Sequence, residues 1–398
     1  MPNKSVSENF IIFVLSGLFF FHIVEFMIMM PLGPQLMRVL SIDAGQFSHL
    51  VAVYNFAAGA SGFLGIFWMD RWDRKKVLIL VNVLFALGTA ICFMTSDYHS
   101  LLIARLVTGG FGGVIGALCM TIIGDLIPFE RRGFAMSKLM SAFSLAAIAG
   151  IPLGLSLANQ FSWQAPFIFI TAGTAIFCVV AWFRLPPMTT HLREHRKGVS
   201  LNDLMDILAD PLHLKCLFLM ALMMLSQFLV IPFISTALVA NGGMSEGQLP
   251  WVYLAGGLVT VVSNPIVGRL SDIYNKKLLF RICAILNWIP LILLTQQGPS
   301  SLWYSLVITT LFFVFNSGRM SPAMAIITAV VLPEKRGRFM SLNSAVQQSS
   351  SGLATWIGGL LITSQAGGPM VGFDHAGYLC VLAGLLTVLW VGQVELRT

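Results

Sequence analysis

Apolar residues in this chain fall into long unbroken runs, near 10–31, 47–69, 77–95, 101–124, 134–157, 165–184, 212–236, 247–269, 279–297, 302–328, 339–363 and 376–394. A helix needs roughly 20 predominantly apolar residues to cross the hydrocarbon core of a bilayer, whereas a core helix or strand of a soluble domain changes to polar positions well before that. The pattern therefore predicts twelve membrane-spanning helices with short polar connections. A transmembrane β-barrel is disfavoured, because its strands alternate apolar and polar over about ten residues. One connection is long, polar and basic, and it divides the chain into two six-helix bundles, 1–186 and 212–398, joined by a central loop, 187–211. Within it Ser200-Leu201-Asn202-Asp203 reads as a helix cap, and Leu201, Leu204, Met205 and Leu208 then share one face. An amphipathic helix lying on the bilayer surface is expected there.

Composition agrees. Of 398 residues, 57% are apolar and 10% charged, with mean hydropathy +0.83, against about 25% charged in a typical soluble domain. The fold class is an all-α membrane protein, and enzymatic catalysis is not expected. A net charge of +7 would suggest nucleic acid for a soluble chain, but here what matters is where the charge sits. With the N-terminus inside, all but Arg38, Arg105 and Arg319 of the 24 Lys and Arg residues lie at cytoplasmic ends or loops. Both termini are thus expected in the cytoplasm, with no nucleic-acid partner. The run Phe10 to Met30 is too long for a signal-peptide core and reads as a first span. The six cysteines sit in or at the ends of apolar runs without CxxC spacing, so neither a disulfide nor a metal site is implied. No cofactor is expected either, and without a GxxxxGK[ST] loop ATP is not the energy source.

The halves repeat. GIFWMDRWDRKK at 65–76 follows the second span and GRLSDIYNKK at 268–277 follows the eighth, placing Asp70 and Asp272 202 positions apart. Glu130-Arg131-Arg132-Gly133 and Glu334-Lys335-Arg336-Gly337 stand 204 apart. Parallel six-helix repeats are the plan of one large transporter fold. On these residues the chain resembles the major facilitator superfamily: Asp70-Arg71 with Arg74-Lys75 looks like its Gly-x-Leu-x-Asp-Arg-x-Gly-Arg-Arg signature, with Ile66 and Asp73 where the two glycines belong. Arg105 with Gly109, and Gly150-Ile151-Pro152-Leu153-Gly154, are similar to patterns of the twelve-helix bacterial drug:proton and sugar-efflux antiporters. The resemblance implies a monomeric secondary transporter that exports a small organic compound, a drug, sugar or metabolite, in exchange for protons. The rival readings are proton-coupled uptake or facilitated diffusion and, from another class, a membrane sensor or scaffold on a transporter fold.

Ionisable groups within spans are costly and mark function by default. They are His22, Glu25, Arg105 and Arg319. Counted from Pro31 and from the start of the fourth span, Glu25 and Arg105 lie roughly 6–9 Å below the outer face, where they can meet. Pairing favours an ionised Glu25 and burial a neutral one, which makes Glu25 the candidate proton carrier with Arg105 as its partner and His22, one turn away, as a relay. A permanent structural pair is the bland alternative. Arg319, with Asn316 beside it, brings a fixed charge to the second half and suits an anionic or hydroxyl-rich substrate, or else carbonyls freed near Pro322. Gln227 stands 202 positions after Glu25 as its uncharged counterpart. Asn343 and Gln347 share a face of the polar eleventh span, which suggests a wet cavity, and Tyr54 and Asn55 are further candidates for substrate contact. The overlapping GxxxG pairs from Gly109 to Gly116 predict close helix packing. From the resemblance, Asp70 and Arg71 form a cytoplasmic latch with Asp125, and Arg74, Arg132 and Asp272 belong to the same charged loops.

Overall fold

The structure, a computed structural model, describes residues 7–189, 201–364 and 368–395; at 70, 129, 130, 201–203, 333 and 334 it describes the backbone alone. Regular structure among these residues is helical, apart from one antiparallel bridge between Thr363 and Val371. The first stretch holds α1 (Glu8–Ile28), α2 (Gly33–Val39), α3 (Ala44–Trp68), α4 (Arg74–Met94), α5 (Tyr98–Leu126), α6 (Phe129–Leu145), α7 (Ile151–Gln160) and α8 (Ala165–Arg184). After the central loop come α9 (Leu201–Leu208), α10 (Pro211–Phe228), α11 (Ile234–Ala240), α12 (Leu249–Ile273), α13 (Lys276–Thr295), α14 (Leu302–Gly318), α15 (Met320–Val330), α16 (Pro333–Leu361) and α17 (Phe373–Trp390). Among the described residues, ten helical rods are long and apolar enough to cross a membrane. The expected tenth span is divided at Arg319 into α14 and α15, and the expected eleventh lies within the more polar α16.

Proline bends four rods without ending them. Pro31 has no N–H for the Met27 carbonyl, and the Met30 N–H takes that acceptor instead at 3.3 Å. Leu32 N–H then bonds Ile28 at 3.2 Å, and the chain runs on into α2. The chain therefore runs on to Val39, 14 residues past Glu25. Pro232 does the same between α10 and α11, where the freed Phe228 carbonyl accepts from the Thr355 hydroxyl on α16 at 3.4 Å. Elsewhere a widened turn, Ala146–Gly150, precedes Pro152 in α7, and Pro322 follows the α14/α15 junction. A broken helix at membrane depth is tolerated where protein or a wet cavity meets the freed backbone groups.

Small residues set the closest helix contacts. Gly109 and Gly113 of α5 lie on the backbone of α3 at Tyr54 and Ala58, where a Cβ would overlap the carbonyl oxygens. That is the packing expected of the GxxxG pairs. The opposite side of α3 packs along α16, with Gly59 against Ala345 and Ser349, Gly352 against Ala52, and Gly359 against Ser48. The polar run of α16 thus includes the small residues of this seam.

Glu8, Met188 and Gln393 lie at one end of the bundle, here called the terminal end, tied by contacts such as Arg131 to Glu8 at 3.0 Å and Lys215 Nζ to the Gln393 carbonyl at 3.2 Å. At the opposite, distal end, Gln35 bonds the Ala158 carbonyl at 3.2 Å and Asn241 the Met370 carbonyl at 3.0 Å. There the apolar core of the first stretch continues unbroken into Leu229, Val230, Phe233, Ile234 and Leu249 of the second. A separate core around Cys216, Phe280, Ile326 and Phe339 fills the terminal end of the second stretch. Helix α9 docks on this second core through Leu204 and Ile207, leaving Met205 and Leu208 exposed. The apolar face is therefore divided between protein and surroundings, since residues three apart on one helix face point together. Large apolar side chains such as Phe13, Leu87, Ile103, Ile176 and Phe183 stay exposed on the outer surface, as a lipid-facing surface requires.

Candidate functional site

The close approach of α5 to α3 builds the first cluster. One turn before Gly109, Arg105 projects over the Tyr54 ring, its Cζ 4.3 Å from the ring centroid, and its Nη1 pairs with Oε1 of Glu25 from α1. Both charged residues are buried, at 1% and 0% exposure, so water screens neither. The Tyr54 hydroxyl and the Glu25 Oε2 atom are both buried without a hydrogen-bond partner. Desolvation opposes the pair and mutual attraction offsets it, while removing one partner of such a pair costs about 3–5 kcal/mol. His22 lies one turn back on α1, its ring 6.1 Å from Phe19 and 5.6 Å from Phe85, and its Nδ1 has no hydrogen-bond partner. Gly112 of α5 leaves room for both the Tyr54 hydroxyl and this imidazole, since a Cβ there would lie 2.7 Å from the one and 3.2 Å from the other. Asn55 is wholly buried, and neither atom of its carboxamide has a partner. An unmet buried polar group costs about 1–3 kcal/mol.

A second cluster forms around Arg319, 2% exposed at the junction of α14 and α15. Its Nη1 donates to the Ser226 hydroxyl at 2.8 Å, and its Nη2 donates to Asn316 Oδ1 at 2.8 Å and Gln227 Oε1 at 3.3 Å. All three are neutral. Asn343 is buried with no partner for Oδ1, whereas Gln347 is half-buried and is not among Arg319's hydrogen-bond partners. The two clusters meet across Phe26 and Phe228, neighbours of Glu25 and Gln227, whose ring centroids are 6.5 Å apart; Phe26 also packs on Tyr54 at 5.7 Å. Sequence reading did not place Ser226 in the site; its adjacency to Gln227 was the available signal.

At the terminal end, Asp125 pairs with buried Arg74, while Arg71 and Asp272 are exposed. Arg132 donates to the Ile127 carbonyl at 3.5 Å. The side chains of Asp70 and Glu130 lie outside the described residues. Asp73, which departs from the signature glycine, accepts from the Lys75 and Met188 N–H groups at 3.0 and 2.9 Å, capping α4. Asn275, 202 positions later, caps α13 in the same way.

At the distal end Arg38 and Glu246 form a two-pronged ion pair, its second contact 2.9 Å. Asn159 donates to the Glu246 carbonyl at 3.3 Å. Below them α2 abuts α11, where a Cβ at Gly33 would lie 2.6 Å from Thr236 Oγ1, and Phe47 packs edge-on against Phe233 at 6.2 Å. The void among Pro31, Leu32, Leu155, Glu246 and Leu249 is about 10 Å³, room for one water at most. At these positions the two stretches pack directly on each other. Arg38 stood out in the sequence as the outward exception; its acidic partner lies 208 residues away and gave no such signal.

The sequence profile of the Major Facilitator Superfamily matches residues 14–221 and again residues 216–397. The chain belongs to the Major Facilitator Superfamily. It is thus a multi-pass membrane transporter, and its helical architecture is that of this superfamily. A probable sugar efflux transporter of Mannheimia succiniciproducens is 22% identical over 343 residues, 86% of this chain and 82% of its own length. Multidrug resistance protein 2 of Bacillus subtilis is 21% identical over 398 residues, 97% of each chain. Among solved structures, a D-xylose-proton symporter superposes with a TM-score of 0.76 at 16% identity, covering 97% of both chains, which is a likeness of fold.

Proposed function

We propose that this superfamily member is a proton-coupled antiporter that exports a small organic compound from a bacterial cell. Two six-helix bundles, 1–186 and 212–398, rock about a central site in the cytoplasmic membrane. The observation that carries the reading is the buried Glu25–Arg105 pair over Tyr54, beside the bend in the first rod. A proton on Glu25 dissolves the ion pair and frees Arg105, so protonation and helix packing are coupled at one place. Placing the basic terminal end in the cytoplasm, by the positive-inside rule, gives twelve crossings and makes the distal end the outer one. On this reading the described state holds its substrate path shut toward the outside through Arg38–Glu246 and the α2–α11 contact. The substrate sits between the clusters, where Asn55, Gln227, Asn316 and Asn343 offer hydrogen bonds. The relatives' names, a sugar efflux transporter and a multidrug resistance protein, fit export, and the charged loops around Arg74–Asp125 serve as the inner latch.

The test uses proteoliposomes loaded with a pH-sensitive dye. Addition of sugars, sugar acids or lipophilic drugs to the wild type moves protons against the compound, whereas Glu25→Gln abolishes that flux and still supports substrate counterflow. Proton flux at wild-type rate in Glu25→Gln sinks the coupling role. Protons moving in the same direction as the compound make the protein a symporter instead.

A further inference from the structure

The two halves deal with a buried arginine in different ways. In the first, Arg105 is neutralised by Glu25. In the second, the position equivalent to Glu25 is Gln227, and the arginine that reaches it, Arg319, has only Ser226, Gln227 and Asn316 as hydrogen-bond partners among the described residues. Of the 17 acidic residues in the chain, Glu25 alone lies inside a span, and it is already committed to Arg105. Among the described residues Arg319 is thus a guanidinium taken out of water, its two terminal nitrogens bonded to three neutral groups with no opposing charge, and its Nε is buried without a partner. A purely structural clamp needs donors but no charge. A neutral side chain would supply donors without the desolvation penalty of several kcal/mol that a buried ion incurs.

Polar groups stand near the buried charge. On α12, Asn264 is exposed in the midst of an apolar helix and bonds the Ser317 hydroxyl at 2.9 Å. Ser321, one turn past Ser317 on the other side of the α14/α15 junction, is exposed as well. Ser317 and Ser321 thus flank Arg319 in sequence, and Asn264 meets the first of them, polar groups that a lipid-compatible surface has no need of.

We propose that the transported compound is a small organic monoanion and that Arg319 is its recognition residue, supplying in the second half the pairing that the protein's own Glu25 supplies in the first. A carboxylate is the group that suits it, because the guanidinium edge is planar and donates in parallel. Ser226 and Asn316 hold the side chain in place while the site is empty, and one negative charge restores neutrality to the bundle interior. This rests on the transporter reading above and names its substrate class.

The experiment melts the purified full-length protein with matched acids and neutral twins at constant ionic strength: gluconate against glucose, and salicylate against salicylamide. A ligand of the folded state raises Tm by mass action. The expected result is a saturating upward shift with an acid and none with its twin. Arg319→Gln should lose roughly 10- to 100-fold in apparent affinity for that acid, the worth of a hydrogen bond to a charged group, and Arg319→Lys should recover only part of it. Equal shifts from acid and twin, an acid-specific shift that survives in folded Arg319→Gln, or a wild type indifferent to every acid overturns the proposal. Because the matched pairs are read on the wild type, the test stands even where Arg319→Gln does not fold. Failure here is distinct from failure of the antiport reading: proton flux driven by neutral compounds alone leaves antiport intact and removes only the anion.

Discussion

Neutralising Glu25 and Arg105 separately and together separates their energetic role from their part in transport. With Glu25→Gln, the Arg105 cation stays buried, but the Tyr54 face beneath it at 4.3 Å retains a cation–π attraction of about 2 kcal/mol in a desolvated site. The loss should therefore fall near the lower end of the 3–5 kcal/mol range for breaking a buried pair, about 3 kcal/mol. With Arg105→Gln, the carboxylate has no nearby cation but can escape by binding a proton. Relative to an ordinary glutamic acid, that escape costs about 1.4 kcal/mol per pH unit above about 4.3, hence about 4 kcal/mol at pH 7 and about 1 kcal/mol at pH 5. The double variant, Glu25→Gln with Arg105→Gln, buries no charge and keeps a neutral hydrogen bond, so its loss should be only about 1–2 kcal/mol. At pH 7 the two single losses together then exceed the double loss by about 5 kcal/mol, a large coupling for two neighbouring side chains. Unfolding in mixed dodecylmaltoside–SDS micelles, followed through the nine tryptophans, measures all four proteins, and repeating Arg105→Gln at pH 5 checks the escape. Additive losses, or an Arg105→Gln defect that does not shrink at low pH, refute the reasoning. The double variant, stable but without its ion pair, should show counterflow without proton flux.

Three further outcomes follow from particular contacts. Arg38→Ala should raise the labelling rate of a cysteine placed at Thr236 by only a few-fold, since Arg38 is 58% exposed and such pairs are worth under about 1 kcal/mol; high salt should mimic the substitution, and an unchanged rate in both would show that the pair does not hold the distal end closed. Asn55→Ala removes a buried carboxamide that has no partner, so it should leave Tm unchanged or raised while increasing the KM for transport; a lower Tm with an unaltered KM would show that the amide serves the fold. Asp97 caps α5 by accepting from the Ser100 hydroxyl and N–H at 2.6 and 3.0 Å, contacts that hold its carboxyl below the ordinary value of 3.8. Its stabilisation is therefore present above that value and is lost as pH falls through the lower folded-state pKa, and the stability difference between wild type and Asp97→Ala, measured by thermal melts, should persist at pH 5 and close only in stronger acid.

The hydropathy pattern alone determined that the chain is a helical membrane protein and roughly where each rod lies, because burial in lipid acts on residues one at a time and leaves its mark on each run. The repeat and the signature residues added the superfamily, and the rarity of charges within apolar runs singled out Glu25, Arg105 and Arg319, since the penalty for burying an ion is likewise a property of the residue itself. Partners are a different matter. Glu25 meets Arg105 80 residues away, Arg319 meets Ser226 at 93 and Arg38 meets Glu246 at 208, and each contact depends on how helices are rotated and how closely they approach. Gly109 and Gly113 set that approach for α5 on α3, and so decide that Tyr54 lies under Arg105. Proline was ambiguous for the same reason: Pro31 read locally as a helix end, but the carbonyls that Pro31 and Pro232 free find acceptable donors, Met30 N–H in one case and Thr355 on a distant helix in the other. Asp125 likewise pairs with Arg74 and not with exposed Arg71, a choice between residues three apart that only the helix N-terminus at Asp73 fixes. Which residues are buried was written along the chain; which of them meet was decided by packing, where a neighbour's backbone geometry counts as much as the residue's own chemistry.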